Sequence, residues 1–252
     1  MNEKNLVIGV GLCLVVLISF YCNLEKTSVK ATPTKKIEMI FVTGGSFSNG
    51  DENLKINDFQ MSKYEITQAQ FEKLLGYNPS VVRGDEIPVN KVNFMDAINF
   101  CNELSKKEGL QECYTIGSDN EILYVDFNPK ANGFRLPTEA EFEYVAQLDE
   151  FNIEIYGDVG LFANISDSIN VVGIHLPNQL GFHDIFGNVQ ELVFGNWFEN
   201  TIEKNRTYID DLGIAKGGAF ITSRNNISAS FRSWIPLDFT SFYTGFRIVK
   251  NN

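Results

Sequence analysis

Gly133-Phe134-Arg135-Leu136-Pro137-Thr138-Glu139-Ala140-Glu141-Phe142-Glu143-Tyr144 is the stretch on which the fold turns. An Arg-Leu-Pro corner runs straight into a capping box, in which the Thr138 hydroxyl and the Glu141 carboxylate each accept from the other residue's backbone N–H. Phe142, Val145 and Ala146 follow at helical spacing, so a helix starts here. Glu139, Glu141 and Glu143 crowd its first turn. Cap and dipole stabilisation, about 0.3 to 1 kcal/mol each, accounts for them without catalysis.

Two further helices lie upstream. Thr67 with Gln70 three residues later precedes Phe71, Leu74 and Leu75, and Gly76 stops the pattern. Asn93 caps a second run through Phe94, Ala97, Ile98, Cys101 and Leu104 that ends before Gly109. Short strands are expected at Met39–Val42, Phe59–Tyr64, Ile122–Phe127 and Phe246–Val249. Asn, Asp and Gly are frequent between residues 147 and 215, which reads as long ordered loops, and there is no internal repeat. The class is α+β with much irregular structure.

The first residues concern the compartment. Lys4 precedes an uncharged apolar run from Leu6 to Cys22, the pattern of an export signal. Cys22 is the expected lipidation position, with an uncleaved signal anchor as the alternative, because Phe20 and Tyr21 are bulky for a lipoprotein cleavage site. Residues 1–22 are thus assigned to the signal, 23–36 to a flexible polar tether, and 37–252 to one domain. The expected location is outside the cell membrane, anchored at a bacterial surface or outer membrane.

A net charge of −11 and a pI near 4.7 argue against nucleic acid and anionic surfaces as partners. No G-x-S-x-G elbow is present, and Gly44-Gly45-Ser46-Phe47-Ser48-Asn49-Gly50 lacks the lysine of a phosphate loop. The only histidines, His175 and His183, show no zinc-ligand pattern and read as structural. Cys101 and Cys113 are the domain's only cysteines; they are either buried free thiols or a pair. No cofactor or metal is expected.

Six ordered segments resemble the formylglycine-generating-enzyme family, a branch of the C-type-lectin-like folds. They are 39–47, 63–67, 88–97, 133–144, Gly181 to Glu191, and Gly217-Gly218-Ala219-Phe220 with Gly245-Phe246-Arg247. The resemblance implies a C-type-lectin-like fold over about residues 37–250. Family enzymes oxidise a substrate cysteine with two copper-binding thiols placed after the Gly-Gly motif. Residues 219–230 contain no cysteine, and hydroxyls do not replace thiolates at copper(I). Hence no reaction is expected. Some relatives bind calcium at the turn matching Asn188 and Glu191; here Asn188 also reads as a turn residue and Glu191 as partner to a buried arginine such as Arg135 or Arg247.

The departure is similar to a second branch, the variable proteins of diversity-generating retroelements, whose C-terminal segment varies on a fixed scaffold. That resemblance implies a ligand-binding protein, its variable segment spanning about 215–247 and its ligand most simply a protein. The expected recognition residues are Ile221, Thr222, Ser223, Ile235, Leu237, Phe239, Ser241, Phe242 and Tyr243. Large aromatics usually seek the interior, so core positions are the alternative for Phe239, Phe242 and Tyr243. Phe231, Trp234, Phe246 and Ile248 are assigned to the core. The competing functional readings are a metal-dependent oxidase and a structural envelope protein.

Overall fold

Thr138 and Glu141 form the capping box that the sequence requires: Glu141 N–H donates to Thr138 Oγ1 at 3.2 Å and Thr138 N–H to Glu141 Oε2 at 2.9 Å. The helix they start, α3 (Glu139–Tyr156), is one of three α-helices among the described residues. In the computed structural model, which describes residues 35–49, 52–156, 158–196, 206–208 and 211–251, α1 is Gln68–Leu75 and α2 is Phe94–Lys107. Both carry full capping boxes, on Thr67 and Asn93, and α1 stops at Gly76 in the left-handed region. The expected signal, Cys22 and the tether up to residue 34 lie outside the described residues. Among those residues, no helix is long and apolar enough to cross a membrane.

Two four-stranded sheets carry the rest. One runs in the order β1 (Met39–Val42), β4 (Phe59–Ser62), β13 (Val249–Asn251) and β7 (Phe134–Arg135). The other runs β11 (Ser233–Pro236), β10 (Leu212–Lys216), β8 (Gln190–Asn196) and β12 (Thr244–Gly245), with β12 parallel to β8. A hairpin of β2 (Gly45–Asn49) and β3 (Glu52–Ile56) and a sheet of β5 (Tyr114–Asp119), β6 (Ile122–Phe127) and β9 (Arg206–Tyr208) complete it.

Two details differ from the sequence expectation. The strand expected at Phe246–Val249 starts only at Val249, because Ile248 N–H donates to the Ser62 hydroxyl, outside the ladder. Within 147–215, α3 continues to Tyr156, and β8, β9 and β10 appear; residues 190–194 are buried throughout, so no alternation betrays β8.

The core has two main parts. Helices α1 and α2 pack Phe71 on Phe100, ring centroids 5.7 Å apart, and Phe100 on Phe246 at 5.4 Å. Burying each such ring contributes about 1.5–3 kcal/mol. The other part joins Phe59 and Met61 of β4 to Phe142 and Val145 of α3 and to Val193 and Ile214. Among the described residues, every buried apolar member lies between Val42 and Val249. Cys101 and Cys113 are free thiols buried in the first part.

Glu141 has a second task. Its carboxylate takes two bonds of 2.7 Å from Arg135, fixing the corner before α3. Burial works against ionisation, but the Arg135 charge and these bonds outweigh it and hold Glu141 below the usual carboxylate range.

Candidate functional site

The C-terminal segment stands on a buried polar platform. Gly187 and Asn188 both have positive φ, 81° and 53°, and a Cβ on Gly187 would come within 2.1 Å of the Asn164 carbonyl oxygen. This turn aims the Asn188 side chain inward. Its Oδ1 accepts from Asn164 Nδ2 and from the Asn170 N–H, both at 2.9 Å, while Nδ2 donates to Glu65 Oε2 at 2.7 Å. The Asn188 carbonyl accepts from the Phe220 N–H at 3.0 Å, tying the C-terminal segment to the turn.

Glu191 pairs with Arg247 through bonds of 2.6 and 2.7 Å, with both side chains fully buried. The same guanidinium also donates to the carbonyls of Ser62, His183 and Asp184. Burial disfavours the Arg247 charge, but the Glu191 carboxylate outweighs it and raises the guanidinium's pKa. Glu65, also buried, has its pKa pushed well up by desolvation and by the neighbouring Asp184 and Glu191, against the opposing pull of Arg247.

This geometry tests the two metals implied by the resemblance. A calcium ion needs the free oxygens of Glu191 and Asn188, yet Arg247 holds both oxygens of the first and two N–H groups hold the Oδ1 of the second. The residues do not fit calcium. They do not fit copper(I) either, since segment 219–230 lacks sulfur and the two thiols of the domain are core residues.

Above the platform, Gly217 and Gly218 turn the chain out of β10 with φ of 79° and 71°; a Cβ on Gly217 would sit 2.5 Å from the Ile185 carbonyl oxygen. Thr222 closes the next turn, its Oγ1 accepting from Ala219 N–H at 2.9 Å. Phe220 lies buried against Ile169 and Val189, with Ile87 and Tyr243 packed at the edge. Over it stands Phe242, ring centroids 6.2 Å from Phe220 and 5.2 Å from Tyr243. The structure thereby joins the loop of Ile221, Thr222 and Ser223 to Phe242 and Tyr243.

Exposure divides the nine expected recognition residues. Ile221 (58%), Phe239 (53%), Phe242 (45%) and Ser223 face solvent, and Thr222 and Tyr243 are half-buried. Ile235, Leu237 and Ser241 do not face solvent. On β11, Ile235 points into the core opposite Gly213, whereas Trp234, assigned to the core, is exposed. The expectation was out of phase by one residue, which in a strand exchanges the two faces. Leu237 fills the space left by Gly213, where an added Cβ would come within 2.2 Å of its side chain. Ser241 is a turn residue, its hydroxyl accepting from the Tyr243 N–H at 3.2 Å. Phe231 is half-buried rather than a core residue; Phe246 and Ile248 are fully buried.

The His183 ring is tied to the scaffold, its Nδ1 2.8 Å from the His175 carbonyl oxygen, while the His175 Nδ1 lies 3.7 Å from the Asp184 carboxylate, too far for a hydrogen bond. Among the described residues, no group of three or more His, Cys, Asp or Glu is arranged to hold a metal ion. Sequence reading missed Glu65. An isolated Glu between Tyr64 and Ile66 carries no local sign that it faces Asn188, 123 positions away.

A family model, the sulfatase-modifying factor enzyme 1-like domain, matches residues 25–252. The chain belongs to this family. Among its relatives is the chaperone protein LppX of Paenibacillus barcinonensis, 30% identical over 94% of this chain and 98% of the relative. Solved structures agree on the C-type-lectin-like fold. Treponema denticola variable protein 1 superposes with a TM-score of 0.71, at 21% identity over 88% of this chain and all of that one. CarF gives 0.69 at 25% identity, over 86% of this chain and 99% of its own. PvdO from Pseudomonas aeruginosa gives 0.61 at 19%, over 85% and 94%. The family assignment and the likeness to the treponemal variable protein agree with the resemblance read from the six segments.

Proposed function

We propose that this family member is an exported, membrane-tethered binding protein whose segment 219–243, diversified by a retroelement, forms a recognition surface, and that it is not an enzyme. One observation carries the reading: Ile221, Phe239 and Phe242 expose large apolar side chains on loops anchored to a buried polar platform. Aromatic and aliphatic contact area held on a rigid base is what protein recognition needs, because little entropy is lost on binding. The absence of thiols after Gly217-Gly218 supports binding without oxidation. Sequencing the gene from many clones of one lineage tests this. Substitutions concentrated at 221–223, 239, 242 and 243, with none at 244–249, are expected; an even spread overturns it.

The relative named chaperone protein LppX favours a second reading, in which the same exposed apolar face holds unfolded clients. The two readings separate in a light-scattering assay of reduced, aggregating lysozyme. A chaperone suppresses scattering at near-stoichiometric ratio, and suppression is lost on substituting Ile221, Phe239 and Phe242 with Ser. A partner-specific binder leaves scattering unaltered.

A further inference from the structure

Away from the C-terminal segment, a half-open groove of about 450 Å³ lies where the ends of α1 and α2 meet the sheet of β1, β4, β13 and β7. Its size falls in the range of small-molecule sites, about 300–1,000 Å³. The floor is apolar: Leu74 and Leu104 from the two helices and Met39 from β1 lie half-buried over the rings of Phe100 and Phe134. Five lysines line the groove, Lys35, Lys36, Lys73, Lys107 and Lys250, against one acid, Glu108. In a chain of net charge −11 with 21 basic residues, that is a local inversion of sign.

The lysines are not consumed by ion pairs. Lys35 bonds Glu86 at 2.8 Å, but among the described residues Lys36, Lys73, Lys107 and Lys250 pair with no carboxylate. Lys250 instead lies 5.9 Å from the Phe134 ring. Lysines in a last helical turn complement the helix dipole, which accounts for Lys73 and Lys107. It does not account for Lys36 and Lys250, which reach the same rim from the N-terminal segment and from β13. Four cations over an apolar floor complement a ligand with an anionic head and a hydrocarbon chain. Moreover, twelve residues lie between Cys22 and Lys35, so on the reading above, with the tether at Cys22, membrane lipids come within reach of the groove.

We propose that this groove binds an anionic membrane lipid, one acyl chain lying on the apolar floor and the acidic head group held by Lys36, Lys73, Lys107 and Lys250. The overall acidity of the chain opposes attraction to anionic surfaces at a distance, so the contact is local and specific to this face. It is independent of the recognition surface proposed above; either can fail alone.

The test uses residues 25–252, the span that the family model matches, and sedimentation with vesicles of phosphatidylcholine with or without phosphatidylglycerol. Binding only to vesicles with phosphatidylglycerol is expected. Lys73→Glu with Lys107→Glu, both on exposed side chains, should weaken it by roughly tenfold or more. Leu104→Gln, checked for an unaltered circular dichroism spectrum, should weaken it as well, which adsorption by charge alone does not predict. Equal binding to both vesicle types, binding to neither, or indifference to either variant overturns the proposal. So does a dimer that the lysine reversals dissolve, since it would assign the groove to a second acidic copy of the chain.

Discussion

Residues 219–243 and 244–249 are neighbours in one segment and have opposite fates. In the second stretch every residue is buried: Thr244 accepts from Gln190, Gly245 fits against the Val89 carbonyl, Phe246 joins the ring stack and Arg247 meets Glu191. Here buried side chains add to main-chain bonds such as Ile66 N–H to Phe246 and Ser62 N–H to Ile248. In the first stretch the anchors are largely main chain to main chain: Phe220 N–H to Asn188, Phe94 N–H to Leu237, Lys91 N–H to Ser241 and Gln190 N–H to Tyr243. A peptide bond is the same for every residue, so loops held this way would keep their course if Ile221, Phe239 and Phe242 were replaced. The buried positions Ile235, Leu237 and Ser241 mark where that freedom ends.

The largest effect that would break this contrast is at Arg247. Arg247→Met strands Glu191 as a buried unpaired charge and should cost about 3–5 kcal/mol, much of the stability of a typical domain. A urea melt within 1 kcal/mol of wild type would show that the platform does not hold the segment. Next comes Leu237→Ala, expected to cost about 2–5 kcal/mol because the space beside Gly213 cannot refill; a cost near zero would return Leu237 to the exposed set.

Glu65 sharpens the contrast through pH. Its folded pKa is raised, so the folded state keeps the proton to higher pH than the unfolded chain, and the resulting stability is full below the ordinary carboxylate range. That contribution is lost as pH rises through the folded value. Glu65→Gln should therefore lose less melting temperature than wild type between about pH 5 and 8; parallel curves would mean Glu65 is ionised when folded. The smallest effects belong to the face itself: Ile221→Ser and Phe239→Ser should each alter stability by about 0.5 kcal/mol or less. A larger loss in thermal denaturation would make them core residues.

Local chemistry made much of the fold legible. The capping boxes at Thr67, Asn93 and Thr138 are read within four residues, and all three helices begin where those boxes place them. The six ordered segments carried the family. What escaped depends on distant partners. β8 is invisible to period counting because both its faces are covered, and Trp234 and Ile235 exchange faces because an isolated four-residue strand does not fix its own phase. Glu65 and the lysine groove are missed for the same reason: each is assembled from segments far apart in the chain, and net charge averages the groove away.

β13 occupies an inner position, between β4 and β7, and so joins strands made some 190 and 115 positions earlier. The first sheet is two separate pieces until residues 249–251 have been synthesised, and the Arg247 pair forms only then. Such long-range closure makes folding late and slow. It also acts as proofreading: a product stopped short of Val249 lacks the strand that closes its sheet and is left to proteases.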